Sequence, residues 1–493
     1  MKNKIDKKLK KNFRLLLLTS ILSGVSGTGF AATITCTPEA DGSYLPGNVI
    51  PSCNTVSAAT ITQPSTAGFY ILTRSRLYET LIVGNTDVTA NVTGRYDGIG
   101  NQYASGAAGA SISTGDLKFK VTSVDGGAIL GTHEVVNITT KNVDATLTAN
   151  YGGGNSSGGV AQYGLLTGST VSSGETLDTG EYSTITTMNL KLNQTTTGGS
   201  TTPILNNGIR AIQGATSNAT LPNGGRGTAG QVIVNGILDM TLTGNRSVGI
   251  YVSGNATNHG VATDRAPVFN ALTPKVILNN DAKIIINKGT GSSFTTWDSH
   301  GIKLGKVRYA GEGPGILESH GNLVIDTTNA LQGGGIKMMR NSILDASDSN
   351  ASTTIKTNGY ALEIGGHDDA ARNGFVLTYE QAASNGATAS FNNAIFTTNG
   401  TSADPLITAT GARKDLIFVD QGQVAVKLNF TGANTDLTAN ANGYILNVSG
   451  NYTAPNYAYY SNTYDTLGNP VQGQNLFEGS SVTFNATDAG SMT

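Results

Sequence analysis

The side chains of this sequence that could do chemistry are few and sit in short polar runs. Ser299-His300-Gly301 and Ser319-His320-Gly321 repeat one pattern, His367-Asp368-Asp369 sets two carboxylates side by side, and Asn85-Thr86-Asp87 adds another beside an amide and a hydroxyl. Paired carboxylates are what general acid and base chemistry on a glycosidic bond requires. Gly154-Asn155-Ser156-Ser157-Gly158 has the spacing of a nucleophilic serine on a tight turn, but it lies in a Gly/Ser tract. It has neither the strand before it nor the helix after it that such a turn needs. Residues 301–307 superficially suggest a phosphate loop, yet three residues rather than four separate Gly301 from Gly305, and Val307 stands where Ser or Thr is required. With 2 Cys and 5 His, none at paired ligand spacing, no zinc or other metal cluster is expected. The calcium-binding nonapeptide repeat is missing too, so no cofactor is expected.

Strands must position these residues. Charged residues are 13% of the 493 and glycines number 64, against a usual charged share of about a quarter and a Gly share of about 7%. This excludes coiled coils and helical bundles. Hydrophobic residues reach 38%, enough to bury a core, and with 1 Trp and 13 Phe the core must be built of Val, Ile, Leu, Thr and Ala. That vocabulary suits pleated surfaces and predicts an all-β chain.

The N-terminus reads as a secretory signal. Residues 1–14 carry six Lys, one Arg and one Asp, residues 15–25 form the apolar run, and Gly29 and Ala31 put small residues before a cleavage point between Ala31 and Ala32. The apolar run is too short for a membrane anchor, which needs about 20 residues. Loss of residues 1–31 takes the formal charge from −2 to −8, because the segment carries seven cations and one anion. A sparse acidic surface disfavours nucleic acid and anionic lipid as partners, and no nucleic acid is expected. Cys36 and Cys53 follow the cleavage point closely, in a compartment where disulfides persist, so a bridge within a cap segment at residues 32–60 is expected, the alternative being two unreactive thiols.

Repeats recur from about residue 160 to the end, and residues 60–490 are expected to form one β-helix. A Gly-aliphatic element recurs: Gly208-Ile209-Arg210-Ala211-Ile212, Gly249-Ile250-Tyr251-Val252, Gly301-Ile302-Lys303-Leu304, then weaker copies at Gly335-Ile336-Lys337-Met338 and Tyr360-Ala361-Leu362-Glu363-Ile364. Between copies lie alternating strands such as Leu238-Asp239-Met240-Thr241-Leu242. Uneven spacing argues against a propeller and for a solenoid whose turns carry insertions of variable length. Stacked coils place like residues over like, which favours aliphatics, leaves little room for large aromatics and disfavours repeated charges. At about 20–25 residues a coil, roughly 17–20 coils would form a rod of about 80–90 Å. Ile209, Ile250, Ile302 and Ile336 are expected at equivalent inward positions.

The phrase at residues 236–254, Gly-Ile-Leu-Asp-Met-Thr-Leu-Thr-Gly-Asn-Arg-Ser-Val-Gly-Ile-Tyr-Val-Ser-Gly, resembles the repeat of bacterial autotransporter passenger domains of the monomeric type V secretion class. The resemblance covers most of residues 160–450 and implies a right-handed parallel β-helix, exported to a Gram-negative cell surface or secreted, commonly an adhesin. It also implies few and closely spaced cysteines, which Cys36 and Cys53 satisfy, and an outer-membrane β-barrel translocator, encoded in cis downstream or acting in trans. No barrel pattern is found up to Thr493, and the Gly-Asp-Ser-Gly segment of protease passengers is missing.

Polygalacturonases share the β-helix, and the two Ser-His-Gly segments, Asn85-Thr86-Asp87 and Asp368-Asp369 resemble pieces of their motifs. The order differs: the paired Asp should precede the His element, and the Arg-Ile-Lys element is missing. These residues therefore read as turn residues. Tyr444, Tyr452, Tyr457, Tyr459, Tyr460 and Tyr464 form either a contact patch or an aromatic cap over the last coils, and Trp297 either a contact or a loop anchor. The expected function is binding, by adhesion to a host cell or matrix or by self-association, without catalysis, with a secreted polysaccharide-active enzyme as the alternative.

Overall fold

A computed structural model describes residues 35–36, 55–56, 59–66, 69–72, 80–101, 110–132, 135–151, 161–168, 181–198, 205–213, 228–254, 272–290, 299–308, 311–339, 342–365, 386–401, 414–419, 426–448, 482–487 and 490–492. Within them every regular element is a strand. Ladder pairing is parallel throughout, apart from the short hairpin of Lys306–Arg308 with Gly311–Gly313. The chain is a parallel β-solenoid whose coils each lay one strand on three faces. Coil 6, for example, is Ala229–Val234 on the first face, Leu238–Thr243 on the second and Ser247–Ser253 on the third.

Coil 1 is Thr55–Val56, Ala59–Thr66 and Phe69–Leu72, and coil 11 is Val426–Thr431, Asp436–Thr438 and Leu446–Val448. Thr35–Cys36 pairs below the first face, so strand pairing already runs through part of the segment expected as a cap. Val482–Thr487 and Ser491–Met492 add a further rung at the other end. In coils 4 and 5 the strands Val136–Tyr151 and Tyr182–Gly198 run from the first face to the second without a break and pair along their length.

The third face is an 11-stranded sheet, not 17–20 rungs. Coils are longer than expected because the advance between equivalent residues ranges from 26, Ile336 to Leu362, to 55, Leu362 to Ile417. Ten steps of about 4.8 Å make a stack of about 48 Å rather than 80–90 Å.

Ile209, Ile250, Ile302 and Ile336 do stack in one inward column, flanked by Leu165 and Leu362, and all six are fully buried. The glycine before each isoleucine has a steric cause. A Cβ at Gly249 would come within 2.5 Å of Ile284 Cγ2, and one at Gly335 within 2.6 Å of Ile355 Cγ2. At Gly164, Gly208 and Gly301 it would meet Leu192, Met240 and Ile325 in the same way. Glycine and isoleucine both face inward here, breaking strict alternation. The core therefore has room for one side chain of the two.

Aromatics are not excluded as expected. Phe391, Phe396 and Phe430 are fully buried in the last coils. Phe430 lies between Phe391 and Phe484, with ring centroids 5.4 and 5.3 Å apart, and Phe396 meets Phe391 edge-on at 5.1 Å. A stacked offset ring obeys the same like-over-like rule that aligns isoleucines.

Candidate functional site

The structure separates the two Ser-His-Gly segments. His300 lies on the third face opposite Gly334 and is 2% exposed, whereas His320 is exposed at the turn between the first and second faces, its Nδ1 3.0 Å from Asp348 Oδ2. Asn85 is also a turn residue, its Oδ1 accepting the Asp116 N–H at 2.9 Å. Asp87 sits outward on the second face, opposite Lys118. His367, Asp368, Asp369, Gly154 to Gly158, Trp297, Ala31, Ala32, Cys53 and Tyr452 to Tyr464 lie outside the described residues. Tyr444, the described member of its cluster, is 69% exposed, and its backbone N–H donates to Asp415 Oδ1.

Register brings together residues that spacing alone did not. On the third face Arg210, Tyr251, Lys303, Lys337 and Glu363 form one outward column over five successive coils. Arg210 donates to the Tyr163 hydroxyl at 2.6 Å and lies over the rings of Tyr163 and Tyr251 at 5.3 and 5.4 Å. Burial works against the guanidinium charge, but the two phenols and this hydrogen bond outweigh it and raise the Arg210 pKa above its ordinary value. Lys303 and Lys337 are direct neighbours of like sign, yet each turns to its own partner. Lys303 Nζ sits 5.4 Å from the Tyr251 ring, and Lys337 Nζ is 3.0 Å from Glu363 Oε1. Glu363 Oε2 is 3.7 Å from His300 Nε2. His300, Lys337 and Glu363 thus form a buried polar cluster spanning coils 7, 8 and 9, and the bare backbone of Gly334 lets His300 reach across coil 8. The sequence carried one signal for this column: each member is the residue directly after the aliphatic of the Gly-aliphatic element.

The second face is the opposite in character, open and regular. Its first outward column reads Asp87, Lys118, Asp144, Lys191, Asp239, Lys283 over coils 2 to 7, with signs alternating at every rung. Two exposed pairs within it are 4.0 Å (Lys118 to Asp87) and 3.7 Å (Lys191 to Asp144). Beside it run Thr89, Lys120, Thr146, Asn193, Thr241, Ile285 and then Asn91, Thr122, Thr148, Thr195, Thr243, Asn287. The turn joining the first face to the second is roped by amides: Asn142 Nδ2 donates to Asp116, Asn189 Nδ2 to Asn142 and Asn279 Nδ2 to Asn235, each at 2.8 Å. From coil 2 to coil 11 this turn is described throughout. Between coil 2 and coil 11, the stretches outside the described residues fall, in sequence, after a second-face or a third-face strand.

No family model, curated protein or solved structure matches the chain.

Among the described residues no three His, Cys, Asp or Glu side chains are grouped so as to hold a metal ion, and no helix is long and apolar enough to cross a membrane. The third-face cluster is shut away from solvent, so a polymer cannot reach His300 or Glu363 without displacing what covers them. The second face offers what the third does not, an accessible lattice of hydroxyls, amides and charges at about 4.8 Å spacing along the stack.

Proposed function

We propose that the chain is the exported, surface-displayed part of an autotransporter-like protein and acts as a binding module, by adhesion to a host cell or matrix or to copies of itself, without turning over a substrate. The observation that carries this reading is the largely polar lattice of the second face over coils 2 to 7, broken by Ile285 in coil 7 and joined to the first face by short turns. Each hydroxyl or amide contact is modest, but repetition along a rigid stack raises avidity by about 10²–10⁴ when many engage together. A β-barrel translocator, in cis or in trans, is the export partner this reading requires. Burial of His300 weighs against the polysaccharide-active alternative. The test displays the chain on cells and scores adherence and aggregation alongside glycan depolymerisation. Adherence is expected to survive substitution of His320, Asp368 or Asp369 and to disappear when several of coils 2 to 7 are deleted. Depolymerisation that vanishes with Asp368 or Asp369 refutes the binding-module reading. Intact mass of the exported chain checks its maturation, with cleavage after Ala31 and a bond between Cys36 and Cys53 expected.

A further inference from the structure

The charge column of the second face has a symmetry that the stability of one chain does not require. Alternation alone keeps like charges off neighbouring rungs, and any alternating order would do that. An alternating column with an even number of rungs is also complementary to itself when reversed. Asp87 to Lys283 is such a column of six, bounded by Thr60 in coil 1 and Val324 in coil 8, which carry no charge.

We propose that the second face binds a second copy of this chain, antiparallel, about a two-fold axis that lies in the interface and passes between coils 4 and 5. This rests on the reading of the second face as the binding surface and names its partner. The axis sets Asp87 opposite Lys283, Lys118 opposite Asp239 and Asp144 opposite Lys191 of the other copy, each twice. It also sets Thr148 opposite Thr195, Thr122 opposite Thr243 and Asn91 opposite Asn287, hydroxyl to hydroxyl and amide to amide. In the middle column Lys120 meets Thr241, Thr146 meets Asn193 and Thr89 meets Ile285, so no like charges face each other. A slip of one rung sets Asp on Asp and Lys on Lys, whereas a parallel two-fold, which reverses strand direction, faces the charge column with the Asn/Thr column and forms none of these pairs, so register is specified by repulsion and orientation by loss of the charge pairs. An interface in which residue i meets j and j meets i is the isologous kind that closes at a dimer.

The size is adequate. Six rungs about 4.8 Å apart cover about 29 Å along the stack, and a strand of seven residues spans about 23 Å. Two such faces bury about 1,300 Å², inside the range of about 1,200–2,000 Å² for specific complexes. The charged side chains that must meet are accessible, with Lys118 69%, Asp87 49%, Lys191 54% and Asp144 50% exposed.

Sedimentation of the full mature chain tests this. A concentration-dependent dimer is expected at low ionic strength, weakened at least tenfold by about 1 M salt, because exposed charge pairs are screened. Lys191→Asp should weaken it at least tenfold, and Asp144→Lys combined with Lys191→Asp should restore it, since the reversed column is again complementary. Orientation is read by cross-linking. A mixture of Thr148→Cys and Thr195→Cys chains should form mixed disulfides, while neither variant alone should. A monomer up to about 100 μM, a dimer indifferent to Lys191→Asp, or self-cross-linking of Thr148→Cys overturns the proposal. A monomer that still confers adherence when displayed on cells sinks the pairing and leaves the binding-module reading standing.

Discussion

Gly301 is the position where the packing account can be tested most sharply. A Cβ added there would overlap Ile325 Cγ2 from the second face and lie 3.0 Å from the Gly335 carbonyl oxygen, but 3.4 Å from Ile325 Cβ, an ordinary contact. Gly301→Ala should therefore cost about 1–3 kcal/mol for overpacking, reduced by about 0.4–1 kcal/mol because alanine restricts the unfolded chain. Ile325→Ala removes the offending methyl and should cost about 2–5 kcal/mol through the cavity it leaves. Together the two should cost less than their sum, with a coupling of about 1–2 kcal/mol, because the new methyl occupies part of the emptied space. Denaturant titration of the four chains of the cycle, followed by circular dichroism, measures each term. Strict additivity, or a neutral Gly301→Ala, refutes the claim that the glycine column exists to leave room for the second-face aliphatics.

Two further outcomes follow from the ionisable groups. Removing one partner of the buried Lys337–Glu363 pair, by Lys337→Met or Glu363→Gln, should destabilise by about 3–5 kcal/mol. Lys337→Met with Glu363→Leu should cost less than either single change, measured in the same titration. The Tyr182 hydroxyl donates to the Thr273 carbonyl at 3.0 Å, and burial, then the Glu318 carboxylate, raise its pKa above 10.0. The folded chain holds that proton more tightly than the unfolded one, so this contribution is complete below pH 10 and is lost as pH rises through the folded value. Tyr182→Phe should flatten the alkaline limb of the thermal-stability profile, and an unchanged limb contradicts the assignment.

The strand content and the inward isoleucines were legible because the Gly-aliphatic element is local: five residues announce both the tight spot and the side chain that fills the space beside it. The coil count was not, since insertions separate strands that are neighbours in space, and a mean repeat length cannot be read from spacings of 26 and 55. Phenylalanine scarcity is an average over the chain, and it concealed the concentration of Phe391, Phe396, Phe430 and Phe484 within three rungs. The two Ser-His-Gly segments looked alike, but the residues after them decide their fates. Gly301 leads into Ile302-Lys303-Leu304, a third-face strand, while Gly321 leads into Asn322, whose Nδ2 donates to Asp281 at 3.1 Å in a turn. The alternating column was invisible for the opposite reason. Its members are 26 to 48 residues apart, and only the ladder registers align them.

A stack in which each rung touches only its neighbours can fray one rung at a time from either end. The His300–Glu363 contact breaks that rule, because it joins coil 7 to coil 9 over the head of Gly334. A fraying front that arrives from the C-terminal side and lifts coil 9 away strips Lys337 of its counter-charge in coil 8 and takes the carboxylate from His300 in coil 7. Three rungs then share one fate. Pulled at its ends, the chain should shed its outer coils in small steps and then pause here. The extension gained when the pause ends should correspond to coils 7 to 9 released as a block, and in Glu363→Gln the block should separate into single coils.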